Sequence, residues 1–123
     1  MKTKHLVNIM NRFVSDNAIR TNDSVHKDFL EIATWLKLTN YGSNDEISSS
    51  NPLVTLLLKF TDSQGQKTVL IDETTLPVSK SDALLSGTRM IKSVGKITQM
   101  DLFVKNLPEN IKLSPESIHI NAA

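Results

Sequence analysis

The chain has no cysteine, which removes thiolate nucleophiles, zinc–thiolate centres and disulfide staples together. That absence fits either redox compartment, because a chain of 123 residues buries enough surface to fold without cross-links. Glycine is scarce as well. Four glycines supply no Gly-x-Gly-x-x-Gly cradle, no phosphate-wrapping loop and no Gly-x-Ser-x-Gly elbow, so kinase, dehydrogenase and hydrolase readings lose their usual support. No apolar run approaches the roughly 18 to 20 residues that cross a bilayer. Neither charge sign dominates. Lys and Arg number 14 against 13 for Asp and Glu, and the basic residues are scattered, so no phosphate-tracking surface is visible. Nucleic acid and membrane are therefore not expected partners.

What is present is an ordinary globular composition, with 39% hydrophobic and 22% charged residues. No repeat, low-complexity block or long linker divides the chain, which reads as one domain over residues 1–123. Met1 to His5 imitates a basic leader, but Leu6 to Val14 is interrupted by Asn8, Asn11 and Arg12 and has no small-residue cleavage site, so no signal peptide is recognised and the expected location is cytoplasmic.

The apolar positions Leu6, Val7, Met10, Phe13 and Val14 follow helical spacing and predict a short amphipathic helix over Leu6 to Val14. A polar loop runs on to Ser24, with room for a short strand at Ala18 to Arg20, so 1–24 forms a helix and loop ahead of a β-rich body over 25–121. In that body Leu30, Ile32, Thr34, Leu36 and Leu38 alternate with Glu31, Ala33, Trp35 and Lys37, which favours a strand over the helix that Val25, Phe29, Ile32 and Leu36 would also allow. Tyr41 to Asn51 is a surface loop by composition. Leu53 to Phe60 and Lys67 to Asp72 form a hairpin about a turn in which Gly65 can take positive φ. Ser81 to Leu85 reads as one helical turn, Gly87 releases the chain into a strand over Thr88 to Ser93, Met100 to Val104 alternate as another strand, and Ser117 to Asn121 close the domain. The expected fold is mainly β: an antiparallel β-sandwich of about six or seven strands with an amino-terminal helix.

Few side chains suggest chemistry. His5, His26 and His119 stand apart without metal-ligand spacing and read as ordinary histidines. Asp72 and Glu73 read as exposed strand-end charges that limit edge pairing, and the oxygen-rich turn at Asp62 reads as a hairpin turn ahead of a calcium loop. No catalytic residue, metal or cofactor is expected. Trp35 and Tyr41 are the single residues of their types. Trp35 reads as core from its mid-strand position, with a stacking platform as the alternative; Tyr41, in a loop, is balanced between the two.

The segments ATWLKLTNYG (33–42), PLVTLLLKFTDSQGQKTVLID (52–72) and GKITQMDLFVKNLPENIKLSPESIHI (95–120) resemble, in strand order, galactose-binding-like jelly-roll domains of the carbohydrate-binding-module type. The resemblance spans about residues 30 to 120 and implies a jelly-roll-like sandwich, with Glu116 loosely in the place of an acidic residue before the closing strand. It also implies a non-catalytic binding module that contacts a glycan or protein ligand through loops at one end, with Trp35, Tyr41, Asn44 and Asp45 as candidate ligand contacts. The alternative is a structural or regulatory protein-interaction domain that forms homo-oligomers through a sheet edge or the amino-terminal helix.

Overall fold

The computed structural model describes residues 2–10, 17–40, 53–75, 82–107 and 111–122. Seven strands account for most of them: β1 (Lys2–Asn8), β2 (Val25–Asn40), β3 (Leu53–Asp62), β4 (Gly65–Thr75), β5 (Asp82–Val94), β6 (Gln99–Leu107) and β7 (Ile111–Ala122). They form two antiparallel sheets, one of four strands in the order β1-β6-β3-β4 and one of three in the order β5-β2-β7.

Strand parity builds the core between the sheets. Leu30 and Ile32 of β2 and Leu85 and Ile91 of β5 face Val54, Leu56, Leu58 and Phe60 of β3 and Met100, Leu102 and Val104 of β6, all buried. Each such side chain contributes about 1.5–3 kcal/mol when fully withdrawn from water.

The helix expected over Leu6 to Val14 is not found. Of it, Leu6 to Asn8 belong to strand β1, paired with β6 from Lys2 opposite Leu107 to Asn8 opposite Asp101, and Ile9 and Met10 follow the strand; residues 11–16 lie outside the described residues. The register slips twice, between Lys2 and Lys4 and between His5 and Val7. The first slip places its extra residue in β6, and the second leaves Leu6 extra in β1 and reverses the in/out parity there, so Leu6 and Val7, adjacent in sequence, both pack against the core. A strand broken in this way mimics helical spacing. The strand considered at Ala18 to Arg20 is also replaced, by a short 3-10 helix at Asn17–Ile19. The helical turn read at Ser81 to Leu85 is strand from Asp82 onward, with Leu85 buried and Leu84 on the outer face.

The hairpin of β3 and β4 is as expected: Asp62 pairs with Gly65 across the turn and Gly65 has φ 119°. Polar contacts tie this end of the sandwich together. Asp62, buried, accepts hydrogen bonds from the amides of Gln64 (2.9 Å) and Val94 (2.9 Å) and pairs with Lys67 at 2.8 Å. The Ser63 amide donates to Val94 O (3.0 Å), the Gly95 amide donates to Ser24 O (2.7 Å), and Asn17 exchanges two 2.9 Å bonds with the backbone of Ile97. Beneath them Arg20, buried, donates to both carboxylate oxygens of Asp28 at 3.1 Å and to Ser93 Oγ at 3.4 Å.

All four sheet edges are altered in ways that discourage further strand pairing. β1 carries its two slips. β7 carries Pro115, which has no amide hydrogen to donate, beside an irregularity opposite Trp35 and Leu36 that leaves Glu116 as the extra residue. The edges of β4 and β5 meet. Between Leu57 and Leu56 of β3, β4 advances from Leu70 to Asp72, so Ile71 is extra and Asp72 is brought to the inner parity of Leu56. There Asp72 accepts the Ser86 amide at 2.9 Å, while Arg89 Nε donates to Leu70 O at 3.1 Å.

Candidate functional site

β2 alternates with one parity inward, so Lys27, Phe29, Glu31, Ala33 and Trp35 form the outer face of the three-stranded sheet. The β2–β5 register sets Trp35 opposite Leu84, Phe29 opposite Met90, Ala33 opposite Ser86, Glu31 opposite Thr88 and Lys27 opposite Lys92. On the other side β7 sets His119 opposite Ala33. Directly opposed residues of an antiparallel pair share a face, with Cβ atoms about 4.5–5.5 Å apart. The face therefore carries two apolar cross-strand pairs. Their members remain open to solvent: Trp35 is 47% exposed, Leu84 41%, Phe29 51% and Met90 44%. The pairs lie six residues apart along β2, about 20 Å, with Glu31, Ala33, Ser86 and Thr88 between them. At one end the opposed and exposed pair Lys27 and Lys92 carries charge, with exposed Val25 beyond it.

Large apolar side chains on an exposed face lack the burial that would justify them in an isolated fold, and a patch of aromatic and Met residues with a polar rim matches the composition of interaction surfaces. Trp35 is thus on the surface and not in the core. Of the other candidate ligand contacts, Tyr41, Asn44 and Asp45 lie outside the described residues, as does the loop expected to carry them. The residues that share the face with Trp35, namely Phe29, Leu84 and Met90, were not singled out from sequence. A signal for them was present: Phe29 and Met90 occupy the parity that is polar in a half-buried strand.

The outer face of the four-stranded sheet differs in chemistry. His5 Nε2 is 2.8 Å from Asp101 Oδ1, and Gln99 Nε2 donates to Asp101 Oδ2 at 2.6 Å. The His5 ring meets Phe103 edge-on at 5.1 Å, and Lys59 Nζ lies 4.8 Å from the centre of the Phe103 ring. Burial pushes the Asp101 carboxyl up, but the hydrogen bonds from His5 and Gln99, the His5 charge and Asn8 outweigh it and hold it below the ordinary carboxylate value. Both oxygens of Asp101 are engaged, His5 is half exposed on an open face, and the pair fastens β1 to β6. His26 Nε2 contacts Ser24 Oγ at 2.8 Å, and His119 is exposed. Among the described residues no cluster of three or more His, Cys, Asp or Glu is placed to hold a metal ion.

No family model, curated protein or solved structure matches the chain. Among the described residues no helix is long and apolar enough to cross a membrane.

Proposed function

We propose that the chain is a non-catalytic binding module whose recognition surface is the outer face of the three-stranded sheet, and that its ligand is a protein surface. The observation that carries this reading is the pairing of Trp35 with Leu84 and of Phe29 with Met90, all exposed on one face. Trp, Phe and Met are enriched at the centres of protein interfaces, where a few large side chains supply most of the affinity. The aliphatic half of each pair offers area to a protein partner and no ring to a sugar.

A glycan ligand, which the jelly-roll resemblance implied, is supported by the exposed indole of Trp35 and by the hydrogen-bonding groups of Glu31, Ser86, Thr88 and His119 around it. Against it stands the 20 Å spacing of the two aromatic rings, too far apart to form a single continuous platform. Binding loops at the end carrying Tyr41, Asn44 and Asp45 remain part of that glycan reading.

Affinity capture with Trp35→Glu and Met90→Glu variants beside the wild type, together with a glycan array, tests the proposal. We expect protein ligands retained by the wild type to be lost from both variants, and the array to stay blank. Ligands retained equally by all three proteins would move the recognition surface elsewhere. Array signal lost on Trp35→Glu would replace the protein ligand with a glycan.

A further inference from the structure

Resting on that reading of the face, we propose that its partner is a second copy of this chain, stacked sheet against sheet about a two-fold axis.

Edge pairing is disfavoured by the slips in β1, by Pro115 and the irregularity in β7, and by the contacts of Asp72 and Arg89 that join the β4 and β5 edges. A face-to-face contact uses none of these edges. Size permits it. β2 and β5 pair over thirteen residues, about 43 Å, and β7 lies beside them from Leu30 on. With strands about 4.8 Å apart the face offers about 540 Å² per copy, or about 1,100 Å² for two, just above the roughly 1,000 Å² that a specific interface must clear.

The pattern on the face is self-complementary. Consider a two-fold axis in the plane of contact, perpendicular to the strands and passing over the paired residues Ile32 and Gly87. It lays β2 antiparallel over β2 of the second copy, so the Trp35–Leu84 pair of each copy covers the Phe29–Met90 pair of the other. The same operation sets Glu31 against Ala33 of the second copy and keeps the two glutamates apart. Ala33 is flanked by Ser86 and His119, so each Glu31 carboxylate meets hydroxyl and imidazole groups on the other copy. From Phe29 to Trp35 and from Leu84 to Met90 apolar groups meet apolar groups, Glu31, the acidic residue of that stretch of the outer face, meets potential donors, and residue i contacts j while j contacts i, as a two-fold interface requires.

The sole tryptophan makes the contact observable. Sedimentation equilibrium and tryptophan emission are followed together from low micromolar to near-millimolar protein. A monomer–dimer transition accompanied by a blue shift of Trp35 is expected. Trp35→Glu abolishes it. Ala33→Glu, which sets a new carboxylate against Glu31 of the second copy twice over, weakens it on the order of ten-fold or more. Adding Glu31→Lys to Ala33→Glu restores it. All the substitutions are on the solvent face, and thermal unfolding at low concentration checks that each variant folds; if Trp35→Glu does not, Met90→Glu carries the same test. A wild type that stays monomeric throughout overturns the second copy while leaving the face to a foreign ligand. A dimer that survives both Trp35→Glu and Met90→Glu overturns the binding face as well, and one indifferent to Ala33→Glu overturns this two-fold register.

Discussion

Gly87 shows how closely the two sheets approach. A Cβ built on it would lie 2.5 Å from Ile71 O, a backbone atom that moves only if β4 moves. Glycine is required here by proximity, because its φ lies outside the positive range that only glycine tolerates well. Gly87→Ala is therefore expected to destabilise the fold by about 1–3 kcal/mol, measured as a lower denaturation midpoint with an unchanged slope. Stability equal to the wild type would mean that the β4 and β5 edges stand further apart than described. Trp35 makes the complementary point. It stands on the parity opposite Leu30 and Ile32, so the alternation that identified β2 already placed its ring away from the core face. Reading Trp35 as core from its mid-strand position set that parity aside. Phe29, Leu84 and Met90 were harder to recognise because their significance comes from register, and register between β2 and β5 is a tertiary fact.

The elements that could be read from the sequence were those whose apolar side chains keep one parity. β2 and β6 alternate, the β3–β4 hairpin carries its turn residues, and each emerged where expected. β1 misled because the register slip between His5 and Val7 brings Leu6 and Val7 both onto the core. The start of β5 misled because Leu84 and Leu85 serve opposite faces, and an apolar residue on each side erases a period of two. At the hairpin end, Asp62 joins β3, β4 and β5. Burial pushes its carboxyl up, yet the hydrogen bond to Lys67, the amides of Val94 and Gln64 and the Lys67 charge outweigh that and hold it below the ordinary value. A depressed folded value means the unfolded chain binds the proton more readily, so this contribution is complete above pH about 4 and is lost as pH falls through the folded value. Asp62→Asn is expected to cost about 2–3 kcal/mol at neutral pH, with the gap to the wild type closing in acid. Thermal unfolding from pH 7 downward would show it; a gap that stays constant with pH would mean the Asp62 charge plays no part in the latch.

At the scale of the whole molecule, the two sheets share one core but present unlike outer faces. The four-stranded face is laced by His5, Asp101, Gln99, Lys59 and Phe103, whose contacts are made within the chain. The three-stranded face leaves Trp35, Leu84, Phe29 and Met90 to solvent, while its inner parity contributes Leu30, Ile32, Leu85 and Ile91 to the core. A sheet with apolar residues on both faces suits a position between two layers, one supplied by the fold and the other by a ligand. Everything proposed for function depends on that asymmetry. The most direct test is the emission and acrylamide quenching of Trp35 in dilute wild-type protein. An indole that emits like one in water and is readily quenched is expected, because Trp35 stands 47% exposed and no described residue covers it. A blue, quench-resistant emission from a sample shown by sedimentation to be monomeric would place Trp35 in the core and contradict the account.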